Sequence, residues 1–154
     1  MKIQTILCAL LMLQGAAASA GPIEDQIKFR QSAYSFIGWN TNKIKTQLDN
    51  PDTLSKEEIV AAANAIAAAA NSGLGALYGP GTDKGEGWKK TRLKSEFFEK
   101  PEEAKKAALQ FNLEANEFAK VAGTGDVGQI KAKFGKLTQS CKSCHDSFRE
   151  KDVK

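Results

Sequence analysis

Five consecutive residues, Cys141-Lys142-Ser143-Cys144-His145, carry the most specific chemistry in the chain. Two thiols three residues apart lie on one face of a helix, and a histidine follows the second directly. The C-x-x-C-H spacing is the attachment signature of c-type haem. The two sulfurs reach the vinyl-derived carbons of the macrocycle, and the histidine reaches the iron from one side. A bare C-x-x-C also suits a redox disulfide or half a zinc site. A zinc site needs about four ligands, whereas the whole chain has three cysteines and one histidine. A thioredoxin-like site needs a βαβ context, and no strand pattern surrounds this motif. Covalent haem through Cys141 and Cys144, with His145 on the metal, is the expectation.

The opposite side of such an iron is constrained by what the chain lacks. The two methionines are Met1 and Met12, and His145 is the single histidine. With the first twenty residues removed, neither Met/His nor bis-His ligation is available within one chain. A lysine, a tyrosine, the new N-terminal amine or no ligand at all remain. The expectation is no ligand, giving five-coordinate iron.

The motif has to be exported and then positioned. Residues 1–20 read as a secretory leader: Lys2, an apolar run from Ile3 to Leu13, and Ala18-Ser19-Ala20 as an A-x-A cleavage site. The run is too short to span a membrane. Cys8 sits within it and leaves with it. Residues 21–154 remain as one domain. Export and thiol attachment together point to a bacterial periplasm. The formal net charge of +4 is too mild to argue for nucleic acid, and the basic residues are mixed with acids along solvated helix faces.

Four helices follow from the periodicity. Residues 22–49 place Ile23, Ile27, Arg30, Tyr34, Ile37, Thr41, Ile44 and Leu48 on a 3.5-residue seam suited to bundle packing. Arg30 on that seam needs a partner, either a bundle ion pair or a haem propionate. Residues 55–73 form a second helix, with a capping box at Ser55 and Glu58. Its inward residues are Ile59, Ala62, Ala63, Ile66, Ala69 and Ala70. Residues 74–99 are a long connection with Tyr78, Trp88, Phe97 and Phe98, aromatics expected to cover a haem edge or the bundle end. Residues 101–122 form a third helix on Ala104, Ala108, Phe111, Ala115, Phe118 and Ala122. Asp126 and Gln129 cap a fourth that runs to about Glu150 on Ile130, Phe134, Leu137, Cys141, Cys144/His145 and Phe148. The fold class is all-α, an antiparallel four-helix bundle holding haem c between facing helices.

A C-x-x-C-H late in a four-helix chain resembles cytochrome c′, the high-spin class II cytochromes c. The resemblance covers nearly all of residues 21–154. Its strongest pieces are Lys28-Phe29-Arg30-Gln31-Ser32-Ala33, Gly79-Pro80-Gly81-Thr82 and Ser140-Cys141-Lys142-Ser143-Cys144-His145-Asp146. It implies thioethers at Cys141 and Cys144 and the proximal ligand at His145. It implies that Arg30 and Gln31 approach the propionates, and that Tyr34 packs over the open iron face, where relatives often carry an apolar side chain. It places Arg149 beside the proximal histidine and Tyr78 near the same side, with Phe98 where relatives often carry Trp. It also implies a homodimer through the first two helices, which Phe36 and Trp39 off the main seam permit.

Two functions follow from the resemblance. One is binding of NO and CO at a crowded five-coordinate iron. The other is one-electron exchange with a redox partner that the sequence does not name. A peroxidase-like enzyme wants a distal acid–base group, most often His. None exists, so no enzymatic activity is expected.

Overall fold

Pro22 opens the first helix, where its missing N–H costs nothing, and Glu24 and Asp25 follow in the first turn. The computed structural model describes residues 22–151. The expected leader and its cleavage site lie outside them. Helix α1 spans Ile23–Asp49, α2 Lys56–Ala70, α4 Pro101–Ala122 and α5 Val127–Phe148. A single helical turn, α3, spans Glu96–Glu99 just before α4. The architecture is all-α, a four-helix bundle built from α1, α2, α4 and α5.

The four long helices pack in chain order, α1 on α2, α2 on α4 and α4 on α5. Their shared core takes Ile37, Ile44 and Leu48 from α1, Ile59, Ala62, Ala63 and Ile66 from α2, Ala115, Phe118 and Ala122 from α4, and Ile130 and Leu137 from α5. Ile44, Leu48, Ile59, Ala122 and Ile130 make up the end of this core away from the cysteines. Beyond Leu137, the inward face of α5 carries the half-buried Cys141 and Cys144 instead of large aliphatic side chains. Among the described residues, the extensive helix pairings are α1 with α2, α2 with α4 and α4 with α5, and α1 and α5 are not paired in this way.

Several expectations are corrected at the helix edges. Ile23 on the α1 seam is 40% exposed, and Ala108 on α4 is also exposed. In α2 Ala67 is buried, while Ala69 and Ala70 are only partly covered. Helix α2 ends at Ala70 because its last turn is tied to α4. Asn112 Nδ2 donates to the Ala70 carbonyl at 3.2 Å and to Asn71 Oδ1 at 2.8 Å. Asn71 Nδ2 in turn donates to Asn116 Oδ1 at 2.9 Å.

The capping box of α2 forms only by half. The Glu58 N–H donates to Ser55 Oγ at 3.2 Å. The Ser55 N–H, however, is taken by Gln47 Oε1 of α1 at 2.7 Å, and Gln47 Nε2 donates to the Glu58 carboxylate at 2.6 Å. One α1 side chain thus replaces the reciprocal bond and fixes the α1–α2 corner. At α5 the expected cap forms in full: the Gln129 N–H and Nε2 donate to the two Asp126 oxygens at 2.9 and 3.0 Å.

The long connection is not structureless. It contains a 3₁₀ turn at Leu74–Leu77 and α3, and between them the chain lies along α1 and then pairs with the end of α5. Gly87 makes the first contact. A Cβ there would sit 2.6 Å from the Cα of Lys28, so no larger residue fits without displacing backbone. Helix α5 stops at Phe148 rather than Glu150 because residues 149–150 extend to meet the connection. The Lys94 N–H donates to the Phe148 carbonyl at 3.0 Å and the Glu150 N–H to the Arg92 carbonyl at 2.8 Å.

Candidate haem-attachment site

The thiols of Cys141 and Cys144 project from the last turns of α5, half-buried and not disulfide-bonded. Burial pushes both thiols above the ordinary cysteine range, with the neighbouring Cys141 adding to the effect at Cys144. Both therefore hold their protons near neutral pH, and being free of a disulfide both are available for thioether formation. His145 follows at the edge of the same face. Desolvation, then the positive charge of Arg92, lowers its affinity for a proton. The neutral imidazole so favoured is the form that ligates a metal. Arg149 Nη1 lies 3.4 Å from His145 Nδ1. The pairing of residues 92–94 with 148–150 therefore sets two guanidinium groups beside the histidine.

Facing these residues, α1 presents a ladder of polar side chains that hold the connection down. Gln26 Oε1 accepts from the Gly79 N–H at 3.0 Å. Gln31 Oε1 accepts from the Trp88 N–H at 2.8 Å, and its Nε2 donates to the Lys89 carbonyl at 2.7 Å. Arg30, only 6% exposed, is the centre of the ladder. Its Nη1 donates to the Leu77 carbonyl at 2.8 Å and Thr82 Oγ1 at 3.0 Å. Its Nη2 donates to the Thr82 carbonyl at 2.8 Å and Thr91 Oγ1 at 3.0 Å. The guanidinium also stacks over the Tyr78 ring at 4.7 Å.

The sequence reading expected a carboxylate, from the bundle or a propionate, as the partner of Arg30. Among the described residues its hydrogen bonds go to carbonyls and threonine hydroxyls of the connection rather than to a bundle carboxylate. Gln31 is likewise spent on the backbone at residues 88–89.

Tyr34, one turn further along α1, lies close enough to Cys141 and Cys144 for both to influence its ionisation. Its hydroxyl is 3.1 Å from that of Tyr78. Burial raises the pKa of both phenols, that of Tyr78 well above the ordinary tyrosine value. Tyr78, which the resemblance puts near the proximal side, meets Tyr34 through its hydroxyl. Its ring stacks on Phe97 with centroids 4.6 Å apart. Phe97 meets Phe98 and Phe148 edge-on at 5.4 and 5.6 Å. Tyr78, Phe97 and Phe98 thus cluster at the motif end of the bundle, as expected. Trp88 does not join them. It is 67% exposed, with Nε1 donating to Ser32 Oγ at 2.7 Å and Lys28 over its ring at 4.6 Å.

Thr82, Thr91 and Arg92 were missed by the sequence reading. A buried arginine on an apolar seam demands acceptors, and Thr82 and Thr91 bracket the connection that supplies them. That was the available signal.

These residues fit a haem. Two free thiols on a face without large aliphatic neighbours, a neutral imidazole beside them and an aromatic cluster at the same end of the bundle suit a flat apolar plate. Comparison with known proteins agrees. The family model described as cytochrome C′ matches residues 25–149. The chain belongs to the cytochrome c′ family. The cytochrome c′ of Rhodocyclus tenuis is 50% identical over 129 residues, covering 84% of this chain and 96% of that one. A solved cytochrome c′ with ligand-controlled dimer dissociation is 49% identical, with a TM-score of 0.80, covering 85% of this chain and 98% of that one. Single-residue variants of the cytochrome c′ of Alcaligenes xylosoxidans, two solved with nitric oxide and one with carbon monoxide, share the fold at 24% identity and TM-scores of 0.74, 0.75 and 0.74. Haem c is the cofactor of a cytochrome c′, and Cys141 and Cys144 are the cysteines of the attachment motif here.

Proposed function

We propose that this cytochrome c′ is an exported haem protein that binds NO and CO at a five-coordinate iron and also exchanges single electrons. When bound, the haem supplies a ferric/ferrous couple and one coordination position for a diatomic ligand. Cys141 and Cys144 hold it covalently, and His145 ligates the iron as neutral imidazole. Tyr34 lines the opposite face. Arg30 and Gln31 order the connection and would approach the propionates. Arg149 borders His145, Tyr78 positions Tyr34, and Phe98 packs in the aromatic cluster.

The observation that carries this reading is the protonated Tyr34–Tyr78 pair. A tyrosine ligates iron as phenolate, and burial opposes phenolate formation at both residues. Tyr34 therefore blocks space and offers a hydroxyl without filling the position. For the same reason it is a poor general base, which argues against an enzyme. The gas-bound structures of the Alcaligenes protein support the ligand class. The leader at residues 1–20 supports a periplasmic location, and the exposed Phe36 and Trp39 support a homodimer through α1. A dedicated electron carrier is the second reading, favoured by the paired guanidiniums beside His145, which stabilise the electron-rich ferrous state.

Optical and EPR spectra of the purified holoprotein, ferric and ferrous, with and without NO, test the proposal. High-spin ferric signals and conversion by NO to a nitrosyl spectrum are expected. Low-spin spectra in both states, unmoved by NO, would show that a lysine or amine occupies the position and would leave the electron-carrier reading.

A further inference from the structure

The run Lys89-Lys90-Thr91-Arg92-Leu93-Lys94 holds four cations in six residues with no acid among them. Elsewhere lysines pair with nearby carboxylates, as in Lys45–Asp49, Lys120–Glu117 and Lys142–Asp146. Lys89 and Lys90 are exposed and form no ion pair among the described residues. Their backbone is nonetheless fixed. The Lys89 carbonyl accepts from Gln31 Nε2 at 2.7 Å, Thr91 is buried, and the Thr91 N–H donates to the Gly85 carbonyl at 3.0 Å. The far end of the run is pinned to α5 by the bonds of Arg92 and Lys94 to Glu150 and Phe148. Lys94 Nζ reaches the Asp146 carbonyl at 3.3 Å, next to His145.

We propose that this strip is the docking face for the carboxylate-rich surface of a redox partner protein. The proposal rests on the electron-exchange part of the function above. Charges on a rigid backbone are pre-organised, so docking does not have to order them. A cationic patch at the electron-transfer edge steers an anionic partner into productive orientation and raises the association rate more than the affinity. The nearby carboxylates do not cancel it. Asp146 is already paired with Lys142, and no carboxylate among the described residues pairs with Lys89 or Lys90. An anionic lipid surface fits less well. Trp88 is exposed, but it is a single aromatic held against α1 by its bond to Ser32 and by Lys28 over its ring, and half-buried Leu93 is paired opposite Arg149, so the strip lacks a cluster of apolar anchors.

The test uses ¹⁵N-labelled holoprotein titrated at low salt with short poly-L-glutamate, alongside stopped-flow oxidation of the ferrous protein by ferricyanide. Amide shifts are expected at residues 89–94 and 149–151, and are lost in K89E/K90E. Ferricyanide oxidation is expected to slow by about five-fold in K89E/K90E and by less than about two-fold in K131E at the far end of α5, both differences vanishing at high salt. Shifts spread over the surface, shifts that survive K89E/K90E, or equal rate effects in the two variants would overturn the proposal. So would tighter binding to phosphatidylglycerol vesicles than to poly-L-glutamate, abolished by K89E/K90E, since the target would then be lipid. K89Q/K90Q gives the same readings if the reversed variant folds poorly. Shifts without any ferricyanide oxidation would show instead that the redox reading fails while the strip still binds carboxylates.

Discussion

The hydroxyls of Tyr34 and Tyr78 lie 3.1 Å apart, on residues separated by 44 positions, and each is buried enough to resist ionisation. Folding therefore favours the protonated phenols. Each residue contributes stability that is complete below the unfolded tyrosine value of 10.0 and is lost as pH rises from there through the raised folded values. Thermal melts of the holoprotein should fall steeply above that pH. In Y34F/Y78F the alkaline fall should be shallower, and equal slopes in the two proteins would refute the argument.

Substituting Tyr78 alone separates the partners. The hydrogen bond from Tyr78 lowers the pKa of Tyr34 against the larger effect of burial. In Y78F the Tyr34 pKa should therefore rise further, read by phenolate absorbance in an alkaline titration. NO association should change less than in Y34A, because the Tyr34 ring stays in place.

Arg30 should be among the costliest polar residues to replace. R30M removes the Arg30 donors to the buried Thr82 hydroxyl and to the Leu77 carbonyl, leaves the Thr82 carbonyl with Thr91 Oγ1 alone, and should destabilise by about 3 kcal/mol. Denaturant melts measure the loss. Hydrogen exchange at residues 79–91 should accelerate, while the α2–α4 core keeps its protection.

G87A tests the seat of the connection on α1. The added methyl meets Lys28 backbone rather than a movable side chain, so about 2 kcal/mol of stability should be lost. The cost should be far smaller for G38A, where nothing lies within 4 Å of the added carbon.

Gln47 should matter to α2 although it belongs to α1. Q47A removes the acceptor for the Ser55 N–H and the donor to Glu58. A loss of about 1 kcal/mol is expected, similar to that of S55A. Because the two changes remove bonds at one corner, the double variant should lose less than the sum.

The helices were readable because burial repeats along them with the period of the backbone, and the caps at Ser55 and Asp126 are local. The cysteines and His145 were readable because their chemistry depends on spacing within one turn. The connection was not, since its order comes from pairs such as Gln26 with Gly79, 53 residues apart, which leave no periodic trace. The partners of Arg30 within the protein were hidden for the same reason. An arginine on an apolar seam announces that it needs acceptors without saying whether they are carboxylates or carbonyls. The contacts of Tyr78 with Arg30, Phe97 and Tyr34 also join residues far apart in the chain.

The pairing of residues 92–94 with 148–150 also orders events in time. In a chain threaded across a membrane from its N-terminus, α1, α2 and α4 emerge before the motif. The connection gains its final partner only after Cys141, Cys144 and His145 have themselves emerged. The order of residues 92–94 thus depends on the last residues of α5 being in place.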